Sequence, residues 1–270
     1  MNDIFLSGSL FRSKCRYNYI KEEFNGHLKK PELKINDIDN NYCYCITNFV
    51  EDFLNESTPN HNFVIVTGQS DRPITQDMIY LAEQNPYFQK WYGINIAVNH
   101  PKVKSIPIGI NNGWYKELYN EDFGDHNILK EVIEKNNQKT NHIYVNFNVG
   151  NNFNDRMPAL SAFNIPLQGQ GIRTKPYRQY LEELSSSYFC LAPNGVGIDT
   201  HRLWESLYVK TIPIVSNSIN VNFYKNLPII IVDNWNTFDK NILTKELYET
   251  MMKLNNFDFK KYTAESFLEL

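Results

Sequence analysis

Residues 184–216, LSSSYFCLAPNGVGIDTHRLWESLYVKTIPIVS, constrain this chain more than any other stretch. They read as strand, glycine loop, helix and strand. Residues 188–192 form a short apolar run, the pattern of a buried strand. Pro193, Asn194 and Gly195 break that run, and Gly197 keeps the following loop free of side-chain bulk. Asp199 or Thr200 caps the next helix, because either side-chain oxygen can accept an orphan N–H of the first turn. Leu203 and Leu207, four apart, give the helix an apolar side, and residues 212–215 read as the next strand.

The polar residues of this stretch point to a ligand. His201, Arg202 and Glu205 fall in the first turns of the helix, just past the glycine loop. His201 and Glu205 are four apart and share a face, with Arg202 beside it. A helix N-terminus favours anions through its free N–H groups and its dipole. Arginine and histidine there suit a phosphate or diphosphate. A carboxylate one turn deeper suits hydroxyl groups such as those of a ribose. The expectation is a nucleotide-sugar pocket. The competing reading is an ordinary βαβ unit whose Arg202 and Glu205 form a surface ion pair.

The same residues resemble the donor-binding segment of exostosin-like glycosyltransferases. That family's pattern runs roughly F-C-L-x-P-x-G, an Arg, E-[AS]-L, then I-P-[IV]-[IV]. Here it is matched by Phe189-Cys190-Leu191, Pro193, Gly195, Arg202, Glu205-Ser206-Leu207 and Ile212-Pro213-Ile214-Val215. The resemblance implies a GT-B fold, a nucleotide-sugar donor (a UDP-sugar foremost) and no required metal or other cofactor. It also implies that Glu205 holds the ribose and Arg202 the diphosphate. A second resemblance, to fucosyltransferase-like GT-B enzymes using a GDP donor, rests on Phe189, Leu191, Leu203-Trp204 and Pro213-Ile214-Val215. That family's Y-[IV]-[ST]-E-K helix start is missing, since Asp199-Thr200-His201-Arg202 stands in its place. A third reading, from a different class, is a nucleotide- or glycan-binding module without turnover.

Upstream, residues 142–147 restart the apolar pattern and run into a Gly/Asn loop ending in Arg156. A short strand, such a loop and an arginine are what the first βα turn of a Rossmann-like half requires. Gly150 permits close backbone approach, and loops of this kind bind phosphate through backbone N–H groups. Tyr144, Asn146, Phe147 and Arg156 resemble the family's corresponding segment, so Asn146 and Arg156 join the expected donor site. Residues 167–178 add Gly169, Gly171, Arg173, Lys175 and Arg178, a basic loop able to close over a diphosphate. Lys175 and Arg178 read first as solvated charges. The expected donor residues are therefore Asn146, Arg156, Arg173, Pro193, Gly195, Gly197, Asp199, Thr200, His201, Arg202 and Glu205.

The first half of the chain carries a second strand-and-glycine signal. Residues 63–68 are β-rich and end in Gly68, followed by Gln69-Ser70-Asp71-Arg72-Pro73 and a helical pattern over 74–82. Ligands of open α/β sheets bind beyond the carboxyl ends of strands. Asp71 is therefore the candidate catalytic base for an acceptor hydroxyl; the competing role is to brace its own turn with Arg72. Gly68, Ser70, Asp71, Ile106-Pro107-Ile108-Gly109-Ile110 and Asn112 resemble a branch of the exostosin-like enzymes that includes ribitol xylosyltransferase-like proteins. Residues 4–10 and 103–110 read as further strands. Residues 136–141 hold no apolar side chain and read as a linker.

The expected architecture is α/β and GT-B-like, with two Rossmann-like halves facing a cleft. Residues 1–138 form an acceptor-side domain and 139–270 a nucleotide-sugar-binding domain. At 42% hydrophobic, the 270 residues are ample for packed cores. A net charge of −3 advertises no basic surface, so nucleic acid is not an expected partner. The expected partners are a nucleotide-sugar and a glycan or polyol-phosphate acceptor, with membrane association only through a lipid-linked acceptor. Cys43 and Cys45 lack zinc-site spacing, and with Cys15 and Cys190 they read as free thiols of a reducing compartment. Residues 1–10 lack the pattern of a signal peptide, which makes a cytoplasmic enzyme the expectation.

Overall fold

Runs of β-branched and aromatic residues build the strands of this protein, and they collect into two separate sheets. The computed structural model describes residues 5–20, 23–24, 27–28, 32–112, 122–166, 175–255 and 262–270. The chain divides into two compact units, Met1–Ile108 with Tyr262–Leu270, and Gly109–Lys261. The expected boundary at 138/139 lies within the second unit. There the helix His126–Lys135 packs against the helix Tyr177–Ser185, with Glu131 pairing to Arg178 at 2.6 Å.

The first unit opens with helix α1 (Gly8–Ser13), where the sequence pattern predicts a strand. The reason is local: the Ser7 hydroxyl accepts from the Leu10 N–H at 3.2 Å and caps the helix, which then buries Phe11. Strands β1 (Tyr17–Ile20), β2 (Glu23–Phe24), β3 (His27–Leu28), β4 (Glu32–Ile35) and β5 (Tyr42–Ile46) follow. Helix α2 (Val50–Glu56), β6 (Phe63–Gly68), α3 (Gln76–Glu83), β7 (Phe88–Gly93) and β8 (Val103–Ser105) complete the unit's main run. The sheet order is β4-β1-β5-β6-β7-β8, parallel except for the β1–β4 pair. Every residue of β6 is buried, as a central parallel strand covered on both faces requires. The strand expected over 103–110 stops at Ser105. Pro107 has no N–H for a ladder, and Gly109 turns the chain with φ +67°. All four cysteines are free and buried. Burial pushes the thiols up, Cys43 to about 12 and Cys190 to about 11, so none is poised as a thiolate.

The second unit carries α4 (His126–Lys135), β9 (Asn141–Tyr144), α5 (Phe153–Ala162), α6 (Tyr177–Ser185), β10 (Ser187–Leu191) and α7 (His201–Tyr208). It ends with β11 (Ile212–Ser216), α8 (Ile219–Asn222), β12 (Ile230–Val232) and α9 (Lys245–Asn255). Its sheet is wholly parallel, in the order β12-β11-β10-β9. Phe189 and Leu191, Ile212 and Ile214, and Ile230 and Val232 alternate along three neighbouring strands. They bury one face against Ala159 and Leu160 of α5. Leu203 and Leu207 are buried as the sequence predicts, and α7 packs on β11. Because all four strands run the same way, their carboxyl-terminal loops emerge at one edge.

The last helix, α10 (Ala264–Leu268), belongs to the first unit. Tyr42 donates to the Leu268 carbonyl at 2.7 Å. The Glu269 carboxylate accepts from Tyr92 at 2.7 Å and from Lys90 and Lys104. Among the described residues, no helix is long and apolar enough to cross a membrane.

Candidate functional site

Asp155, in the first turn of α5, organises the carboxyl edge of the second sheet. Its carboxylate accepts from the Asn194 N–H at 2.7 Å, beyond β10, and from the Ser216 hydroxyl, at the end of β11. It also accepts from Trp235 Nε1 at 3.0 Å, just beyond β12. One side chain thus ties three loops together. Asn152 caps the same helix, accepting from the Asp155 N–H, and its amide donates to the Gly195 carbonyl at 3.0 Å. The sequence reading missed Asp155 and Asn152 as organisers; their three-residue spacing at a helix start is the signal that marks them.

On this frame sit two arginines. Arg156 is 5% exposed, donates from Nε to the Asn194 carbonyl at 2.9 Å and from Nη1 to the Asn148 carbonyl. Arg202, from the first turn of α7, donates from Nη2 to the Asn146 carbonyl. Both guanidinium groups lie over the Phe147 ring, their carbons 5.4 and 5.7 Å from its centroid. Each gains a cation–π contact there. Among the described residues neither forms an ion pair. Burial, and then the neighbouring Arg202 charge, push Arg156 down to about 10. Arg202 Nε and Asn146 Oδ1 are buried without a hydrogen-bond partner among the described residues. The adjacent Asp155 charge offsets the push on Arg156 only in part, so two cations held mainly by neutral carbonyls and one ring stay short of negative charge.

Gly195 is the point of closest approach. A Cβ there would lie 2.9 Å from Arg156 Nη2, so the loop backbone rests on the guanidinium only without a side chain. The Gly195 N–H bonds the Gly197 carbonyl at 3.0 Å, which closes the loop on itself. Pro193, Gly195 and Gly197 are buried, while Val196 between them is 65% exposed. Beneath the loop, a cavity of about 10 Å³ lined by Asn194, Thr200, Ser216 and Asn220 has room for about one water.

The remaining expected donor residues divide. Thr200 is the N-cap residue of α7 by backbone geometry, without a side-chain capping bond. Asp199 does not cap through its carboxylate. Both its oxygens accept from Trp204 Nε1 at 3.0 Å, and Oδ1 also accepts from the Thr200 N–H. His201 Nδ1 lies 2.8 Å from the Gly109 carbonyl. Glu205 is 1% exposed, and its two oxygens accept from Tyr177 at 2.9 Å and Tyr180 at 2.7 Å. Burial first, then the Glu205 charge, raise both phenols well above their ordinary range, so they stay donors. Arg202 and Glu205 therefore do not form a surface ion pair, and a ribose would reach Glu205 only by displacing a tyrosine. Tyr177 and Tyr180, three apart, share a face of α6, and their common partner Glu205 comes from α7. The Gly150 N–H is already bonded to Asn148 Oδ1 at 2.9 Å. Arg173, Gly169 and Gly171 lie outside the described residues. Lys175 and Arg178 pair with Glu183 and Glu131, as solvated charges do.

In the first unit, Asp71 stands exposed at the carboxyl end of β6. Arg72 does not brace it but forms a two-pronged pair with Glu51. The loop is held from below instead. Asn95 donates to the Ser70 carbonyl at 3.0 Å, and Ser70 bonds Asn48. Among the described residues no group of three or more His, Cys, Asp or Glu side chains gathers as a metal cluster would. No protein-family model matches the sequence, and no curated protein matches it.

Proposed function

We propose that this protein is a glycosyltransferase of GT-B type that moves a sugar from a nucleotide-sugar, foremost a UDP-sugar, to a glycan or polyol-phosphate hydroxyl. One observation carries the reading: Arg156 and Arg202, both against Phe147 and without a paired carboxylate, beside a glycine loop at the carboxyl edge of a parallel sheet. A diphosphate supplies the missing negative charge and would be held by charge-assisted bonds. In the transferase reaction the bond from the sugar's anomeric carbon to the diphosphate oxygen breaks as the acceptor oxygen bonds that carbon. The nucleoside diphosphate leaves with the electron pair, and Arg202, Arg156 and His201 stabilise the charge it carries. Asp71 takes the proton of the acceptor hydroxyl in an inverting reaction.

Isothermal titration and melting measurements with UDP-glucose, UDP-N-acetylglucosamine, UDP-xylose and GDP-fucose test this. Arg202→Ala is expected to weaken binding roughly 10–100-fold. Asp71→Asn is expected to leave donor binding intact and abolish transfer. Binding of GDP-fucose alone would favour the fucosyltransferase-like reading. Binding with no transfer to any acceptor would leave a binding module. A protein indifferent to all four compounds would end the proposal.

A further inference from the structure

A second opening lies in the first unit. It is a groove of about 420 Å³ formed by the end of α2, the chain leading into β6, the end of α3 and the chain leading into β7. In a parallel sheet this is the amino edge, the end opposite Gly68 and Asp71.

Its lining is chemically unusual. None of the ten residues that form it is charged. Asn55, Asn60 and Gln84 line it as exposed amides with no side-chain hydrogen bond among the described residues. Asn85 is occupied: its amide nitrogen donates to the Thr58 hydroxyl at 3.0 Å, and its oxygen accepts from the Tyr87 N–H at 2.9 Å. That pair holds the two rims together and fixes the backbone of Tyr87, a residue that is 42% exposed.

Each free amide offers paired donors and an acceptor, which matches neighbouring hydroxyls. The exposed ring offers an apolar face for the C–H side of a sugar. The lack of charge disfavours phosphates, nucleotides and acidic or basic peptides. An extended peptide gains no strand-pairing either, because β6 lies between β5 and β7 and has no free edge. Leu54 is 9% exposed and Leu81 half-buried, so the groove offers little open aliphatic surface for a peptide side chain.

We infer that this groove is a binding site for a neutral oligosaccharide, separate from the arginine site. It would anchor a glycan chain on the protein's surface. The inference rests on these residues alone and stands whether or not the arginines bind a nucleotide-sugar.

The test is an array of neutral oligosaccharides, including maltohexaose, cellohexaose, xylohexaose and chitohexaose, with unfolding curves recorded for every variant. Saturation-transfer NMR then follows any glycan that binds, and a set of uncharged peptides runs beside it. At least one glycan is expected to bind. Tyr87→Ala should weaken it about tenfold, and the double variant Asn60→Ala/Gln84→Ala by a similar factor. All three side chains are exposed, so these variants should melt like the parent. Arg202→Ala should leave the glycan signal unchanged, which separates failure of this site from failure of the arginine site. No binding across the array, binding that survives both variants, or binding of the peptides only would each overturn the inference.

Discussion

Two loops in this protein share one local recipe and end in opposite electrostatic states. Each follows a strand with parallel neighbours on both sides, has a glycine at or soon after the strand's end, and carries an arginine and an aspartate nearby. After β6, Arg72 is half-exposed and matched by Glu51, while Asp71 forms no ion pair among the described residues. After β10, Arg156 is buried, Arg202 joins it, and the nearby Asp155 is consumed by Asn194, Ser216 and Trp235. The first loop closes its positive charge and presents a carboxylate. The second closes its carboxylate and presents positive charge. A strand followed by a glycine loop is therefore not informative by itself; which charge is left over is.

Arg156→Ala tests the comparison hardest. It strips partners from the Asn194 and Asn148 carbonyls and empties the space under Gly195. The expected cost is about 3 kcal/mol, or roughly 5–10 °C in Tm, read by calorimetry. If the variant melts like the parent, the arginine is not the buried keystone described above.

A smaller effect comes from Glu269, the one strongly shifted carboxylate of the first unit's described residues. Lys104, Lys90 and Tyr92 hold its carboxyl down to about 2. The folded value lies below the unfolded one of about 4.3, so the unfolded chain takes up protons first as pH falls. The stabilisation is complete above about pH 4.3 and is lost toward pH 2. The side chain is 44% exposed, so screening limits the gain to about 1 kcal/mol or less. Denaturation midpoints between pH 2 and 6 should vary less in Glu269→Gln than in the parent. Equal pH profiles would refute this.

Arg72→Ala should do least. Its pair with Glu51 is about as exposed as Glu269, with side-chain exposures of 40% and 36%. Chemical denaturation should register no more than about 0.5 kcal/mol. A loss as large as that of Arg156→Ala would erase the distinction between the two loops.

Much of the local structure was legible in the sequence. The βαβ unit at 187–216 follows from an apolar run, a glycine loop and the Leu203–Leu207 spacing, all short-range signals. Helix α1 departs from the sequence reading because residues 4–10 look strand-like by composition, while one hydroxyl, Ser7, decides the matter. Within the site, the pairing of Arg156 with Phe147 and Gly195 was half-visible, because these residues sit near strand ends of one parallel sheet. The burial of Glu205 under two tyrosines was not, since those lie 25 and 28 residues away.

By itself the sequence determined the strand–loop–helix–strand order of residues 187–216, where α7 begins and which residue types stand at the carboxyl edges. Those features depend on neighbours a few positions apart, through backbone sterics and the period of apolar residues. Only the tertiary structure decided which of those charges are neutralised. A carboxylate or tyrosine that quenches a site comes from any distance along the chain, and Coulomb and desolvation energies depend on separation in space.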